Sequence, residues 1–171
     1  AIVGIIIFSE CGFLFYKMGL YFFLCISVIL IASLMAFLRF NLSSTKKIFM
    51  GDTGSLIIGF IIATMTMRLF AVNPVRLQML PFQLENLPLV ILALLIVPFF
   101  DTTRVFAVRI AKKQSPFSPD RNHIHHILID YLHLSHRKAS ICIGIFNVAF
   151  ALAFILLGIH YLQNILIKII L

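Results

Sequence analysis

The sequence predicts an all-α fold, a polytopic transmembrane helical bundle, and three observations carry that prediction. Of the 171 residues 61% are apolar and only 12% charged, with a mean hydropathy of +1.08. A soluble domain is about half apolar and about a quarter charged. The apolar residues fall into runs near the roughly 20 residues that a bilayer-crossing helix needs. The polar residues gather between the runs rather than within them. A compact soluble protein of this size could not hide so much apolar surface. Disorder and a disulfide-stapled secreted scaffold are excluded by the same composition.

The elements follow in order. Ala1 to Tyr16 is an apolar run interrupted by Glu10. Gly19 to Leu38 has no charged residue at all. Gly54 to Val72 carries Arg68 near one end, where its side chain can snorkel to the interface. Leu87 to Phe100 is short unless the helix continues through Asp101 and Arg104. Ala139 to Leu162 is again long enough, and Ile165 to Leu171 is too short to cross alone. The expected spans are therefore 1–16, 19–38, 54–72, 87–107 and 139–162, about five helices in this part of the bundle. The first run has no basic stretch or cleavage site, so no signal peptide is expected.

Charge orients the bundle. Lys and Arg number 14 against 6 Asp and Glu, a formal net charge of +8. The loops at 39–53 and 108–138 are basic, whereas the loop from Asn73 to Asn86 carries only Arg76 and Glu85. By the positive-inside rule the two basic loops are cytoplasmic. Such loops suit anionic membrane lipids or phosphorylated substrates. Nucleic acid is not an expected partner, because the basic residues lie between lipid-length runs. Cys11, Cys25 and Cys142 are isolated in apolar runs, with no pair spaced for a metal or a disulfide framework.

The first basic loop holds Lys46-Lys47-Ile48-Phe49-Met50-Gly51-Asp52-Thr53-Gly54-Ser55. Asp52 lies between glycines that allow close approach of a ligand. One reading makes Asp52 or Thr53 the cap of a helix starting near Ser55. The other makes Asp52 a carboxylate that helps hold a Mg²⁺–diphosphate beside two lysines. No P-loop is present, since the Gly-Lys-Ser/Thr ending is missing.

In the second basic loop Asp101 and Arg104 are three apart, so a continued helix lets them pair. Lys112 and Lys113 read as cationic anchors at a helix's inner end. Pro116 and Pro119 break the chain, and Asp120 is placed to cap a short new helix. On that helix Ile124, Ile127, Leu128 and Tyr131 form an apolar stripe suited to the interface. His123, His126 and Asp130 then share one arc and His125 points away. Zinc is the weaker use of these histidines, because no cysteine joins them. Donation by the histidines and Arg121 to a diphosphate fits the basic loop better.

Three blocks, Lys47 to Ser55, Pro98-Phe99-Phe100-Asp101-Thr102-Thr103-Arg104-Val105, and Ser115-Pro116-Phe117-Ser118-Pro119-Asp120-Arg121-Asn122-His123-Ile124-His125-His126, together resemble the polyprenyl-phosphate N-acetylhexosamine-1-phosphate transferases of the glycosyltransferase 4 family. The resemblance covers nearly the whole chain, in order. It implies a membrane bundle of about ten or eleven helices, of which this chain supplies the C-terminal part. The His-Ile-His-His ending resembles the undecaprenyl-phosphate GlcNAc-1-phosphate branch, with the phospho-MurNAc-pentapeptide translocases as the alternative.

The resemblance implies transfer of N-acetylhexosamine-1-phosphate from a UDP-N-acetylhexosamine to undecaprenyl phosphate, with release of UMP. That is the first membrane step of a cell-envelope polysaccharide pathway at the cytoplasmic face of the bacterial inner membrane. It implies Mg²⁺, or Mn²⁺ in its place, held at Asp52. It gives Asp52, His123, His125 and His126 catalytic roles, and substrate contacts to Asn41, Lys47, Asp101, Arg104 and Arg121. A homodimer is left open. The family's adjacent aspartate pair and its Asn…Asp-Gly block do not occur here. The expectation is therefore a C-terminal piece that is inactive alone. Rival readings are a metal or proton transporter using Asp52, Asp101 and the histidines, and an inactive membrane scaffold.

Overall fold

The computed structural model describes residues 1–160, apart from residues 44, 81, 83 and 116–122. Among the described residues every regular element is helical, in line with the all-α expectation. The Ile165 to Leu171 tail lies outside the described residues.

Helix α1 (Ile2–Lys17) and helix α2 (Tyr21–Asn41) form an antiparallel hairpin. The turn has a local cause. Gly19 takes φ +68°, its N–H donates to Tyr16 O at 3.1 Å and that of Leu20 donates to Phe15 O at 2.9 Å. This closes α1 with a Schellman motif, which needs a left-handed residue at that position. The two helices approach closely where Gly12 faces Ser27 and Gly4 faces Leu34, as small residues permit between membrane helices. Ser27, fully buried, donates back to Phe23 O, so its hydroxyl is satisfied.

Helix α3 (Gly51–Phe70) packs on α1. A short helix α4 (Pro74–Leu77) follows, with Asn73 Oδ1 accepting from the Val75 N–H at 3.0 Å and Pro74 in the first helical turn. Arg76 donates to Met18 O at 3.4 Å and ties this loop to the α1–α2 turn.

A 3-10 turn (Leu84–Asn86) leads into α5 (Leu87–Leu94) and α6 (Ile96–Ala111). The expected continuous helix over 87–107 is instead bent by 71° at this junction. Pro98 explains the break. It has no N–H to offer Leu94 O, and its ring clashes with that carbonyl in a continuous helix. The ladder resumes at once, with Phe99 N–H donating to Leu95 O at 2.9 Å.

Helix α7 (Ile124–Asp130) is short, and α8 (His136–His160) is long and apolar. Helix α8 packs against α5, α1 and α7. Among the described residues three helices, α2, α3 and α8, are long and apolar enough to cross a membrane, and α5 with α6 make a fourth if the bent pair is one span. The chain is thus a helical membrane protein. Its core centres on α1, where Ile7, Phe8, Cys11 and Phe15 are almost wholly buried against α2, α3 and α5. Asn147 of α8 is fully buried, and its side-chain amide has no hydrogen-bond partner among the described residues.

Candidate functional site

Asp101 organises the polar end of the bundle. It lies in α6 just past the bend and is 19% exposed. Its Oδ1 accepts from Arg104 Nη2 at 3.3 Å, the i, i+3 pair that helical spacing predicts. The same oxygen accepts from the backbone N–H of Ile124 at 2.8 Å, and Oδ2 lies 2.8 Å from His123 Nδ1. One carboxylate from α6 therefore satisfies an otherwise unpaired N–H at the start of α7. The helix's own N-cap residue, His123, makes no side-chain capping bond. Asp120, the expected cap, lies outside the described residues.

The histidines are arranged differently from the expectation. His123 precedes the helix in extended backbone, φ −65° and ψ 150°. It therefore lies outside the regular helix on which the expected arc was drawn. Its ring instead lies nearly parallel to that of His125, centroids 6.2 Å apart and planes inclined by 14°. The physical reason is the later start of α7: a regular helix from Asp120 would have separated these two rings. The side chain of His126 and all of Arg121 lie outside the described residues.

A cavity of about 320 Å³ opens between the start of α1, α6, α7 and the start of α8, with Asp101, His125 and Ser140 as its polar lining. A second, wholly apolar cleft of about 420 Å³ runs beside it, lined among others by Phe100, Leu128 and Phe146. The two share a wall made by Val97, Ile124 and Ile143.

Asp52 stands apart from this group. Helix α3 starts at Gly51, whose φ is +68°, so Asp52 lies inside the first turn. It is not the cap of a helix starting near Ser55. Ser55 Oγ donates back to Gly51 O and Asp52 O. Asp52 is exposed, and among the described residues no hydrogen bond or ion pair joins its carboxylate to Asp101 or the histidines. Asn41 Nδ2 donates to Ile48 O at 3.0 Å and pins the loop that leads to Asp52. Lys47 sits over the ring of Phe49 at 5.2 Å.

Among the described residues no group of three or more His, Cys, Asp or Glu is arranged to hold a metal. Asp52, exposed in the first turn of α3, is a single carboxylate of the kind that Mg²⁺ accepts, the rest of the shell then coming from phosphate oxygens and water. Sequence reasoning found Asp101 and Arg104 through their spacing. It missed that Asp101 reaches 22 residues along the chain to His123, a contact that only the bend at Leu95 and the return of the chain create.

Comparison with known proteins bears on the family. Residues 1–70 match the family model described as Glycosyl transferase family 4. The chain is 39% identical over 134 residues to a Bacillus subtilis (strain 168) protein named "Probable undecaprenyl-phosphate N-acetylglucosaminyl 1-phosphate transferase", covering 78% of this chain and 34% of that protein. It is 33% identical over 126 residues to a "Decaprenyl-phosphate N-acetylglucosaminephosphotransferase" of Mycolicibacterium smegmatis, covering 69% of this chain and 29% of that one. It is 29% identical over 164 residues to an "Undecaprenyl-phosphate alpha-N-acetylglucosaminyl 1-phosphate transferase" of Haemophilus influenzae, covering 92% of this chain and 42% of that one. The chain spans between 29% and 42% of the length of these curated relatives. No solved structure matches the chain. Residues 1–70 of the chain thus match glycosyl transferase family 4, and the relatives that align with 69–92% of the chain carry the names of polyprenyl-phosphate N-acetylglucosamine-1-phosphate transferases.

Proposed function

We propose that the protein transfers GlcNAc-1-phosphate from UDP-GlcNAc to undecaprenyl phosphate and releases UMP, at the cytoplasmic face of the bacterial inner membrane. In this reaction an oxygen of the lipid phosphate forms a bond to the sugar-linked phosphorus. The bond from that phosphorus to the bridging oxygen breaks, and UMP departs with that oxygen. The observation that carries the reading is the shared wall of Val97, Ile124 and Ile143 between a cavity that carries Asp101, His125 and Ser140 and a wholly apolar cleft. A substrate with a phosphate head and a hydrocarbon tail needs such a pair of adjoining spaces. The names of the matched relatives favour a GlcNAc donor over MurNAc-pentapeptide. A transporter would place ionisable residues along a midplane path, whereas Asp101, Arg104 and His123 gather beside the short helix α7.

The residues divide the work. Asp52 would hold Mg²⁺, which when bound offsets charge on the diphosphate. Lys47 adds positive charge on the same loop, and Asn41 holds that loop in place. His125 lines the cavity that carries Asp101, and the His123 ring lies against that of His125, so the pair offers ring nitrogens to phosphate oxygens. Arg121 and His126 belong to the same basic segment.

The test is UMP release by membranes containing the full-length protein, with undecaprenyl phosphate as acceptor and UDP-GlcNAc or UDP-MurNAc-pentapeptide as donor. Release with UDP-GlcNAc alone, abolished by EDTA and restored by Mg²⁺, is the expected result. Release with the pentapeptide donor alone would move the protein to the translocase reaction. No release with either would remove the transferase reading. Asp52→Asn should cost about 100-fold or more in turnover, because metal charge stabilisation is worth several kcal/mol. Unchanged turnover would leave Asp52 only a favourable charge at a helix start.

A further inference from the structure

We infer that Asp101 is a positioning residue for His123, and not a substrate contact: it fixes which nitrogen of the His123 ring faces the ligand. This rests on the transferase reading above and assigns a new role within that site. The geometry is specific. Asp101 spends both carboxylate oxygens on the protein, Oδ1 on Arg104 and the Ile124 N–H, Oδ2 on His123 Nδ1. With three protein donors on two oxygens, and at 19% exposure, it has little capacity left for a sugar or a phosphate.

A carboxylate 2.8 Å from Nδ1 keeps the ring proton on Nδ1. Nε2, at the far end of a ring that is 42% exposed, is then the atom left to meet a ligand. The arrangement is the one by which a buried carboxylate orients a working histidine in metal and hydrolase sites. The second bond, to the Ile124 N–H, fixes the backbone from which that ring projects. Ring tautomer, ring direction and the start of α7 are thus set by one side chain of α6. Arg104 donates to the same oxygen and holds the carboxylate in place.

Asp101→Asn separates these effects. The amide oxygen still accepts from the Ile124 N–H, so the start of α7 is kept. The amide NH₂ now faces Nδ1, which must become an acceptor, and the ring proton moves to Nε2. In full-length protein with ¹⁵N-labelled histidine, the His123 ring signals, assigned by their loss in His123→Asn, should show Nδ1–H in the parent and Nε2–H in Asp101→Asn. In the UMP-release assay Asp101→Asn should lower kcat by about 10- to 100-fold, the usual effect of removing an orienting partner. KM for UDP-GlcNAc should change by less than about threefold, because a substrate contact is not being removed.

On a His123→Ala background, Asp101→Asn should cost almost nothing more, since Asp101 has lost the group it acts through. Additive losses in that cycle, a raised KM with unchanged kcat, or an unchanged ring pattern would each overturn the assignment. If the parent protein releases no UMP, the transferase reading falls on its own. The ring-nitrogen pattern then decides whether Asp101 sets the His123 tautomer.

Discussion

At the scale of single residues, the backbone shows two left-handed solutions to one problem. Helix α1 ends through Gly19, which adopts φ +68° without a Cβ penalty. Helix α6 ends with the same pair of bonds, Lys113 N–H to Ile110 O and Gln114 N–H to Arg109 O, both 2.9 Å. Here the left-handed position is Lys113, at φ 55°. A lysine there costs about 1 kcal/mol or more relative to glycine. Lys113→Gly should therefore stabilise the protein by about 1 kcal/mol, read from the denaturation midpoint in mixed micelles. A neutral or lower midpoint would mean that the lysine side chain earns its place through lipid or loop contacts. Reading residues alone gave the Asp101–Arg104 pair, because i, i+3 spacing is local. It did not give the Asp101–His123 bond or the nearness of the two histidine rings. Those depend on where α7 begins, and that start is fixed by a group on another helix.

At the scale of elements, small residues and prolines set the geometry. A Cβ placed on Gly12 would lie 3.1 Å from Ser27 Cβ, tighter than ordinary packing allows. Gly12→Leu should push α1 and α2 apart at a cost of about 1–3 kcal/mol, the usual range for overpacking. Thermal unfolding in detergent should show this as a lower midpoint, and an unchanged midpoint would mean that the hairpin yields freely. The apolar runs showed where α2, α3 and α8 would lie, because lipid demands long apolar helices. The run from Leu87 was read as one helix because its composition is continuous. Pro98 was the signal for the break: in a helix running on from Leu87 it would sit in the interior, and after the break it sits in the first turn of α6, where proline is tolerated.

At the scale of the whole molecule, the charge pattern predicts which ends of the helices share a side of the membrane. Single cysteines introduced at Lys46 and Gln114, in a background lacking Cys11, Cys25 and Cys142, should react with a membrane-impermeant thiol reagent only in inverted vesicles. A cysteine at Val75 should react in intact cells. Labelling of the Val75 position from the same side as Lys46 would refute the orientation. The basic loops are the ground of this expected topology. They could not show the two adjoining cavities, because those arise from how α1, α6, α7 and α8 pack together. One consequence of the bend at Leu95 is mechanical. Asp101 sits six residues beyond it, an arm of about 9 Å at the helical rise per residue. A rotation of about 10° at that fulcrum would swing the carboxylate by about 1.6 Å, more than a good hydrogen bond tolerates. The bend therefore makes α6 the handle of a crank: the angle at Leu95 fixes where the carboxylate stands against the histidines.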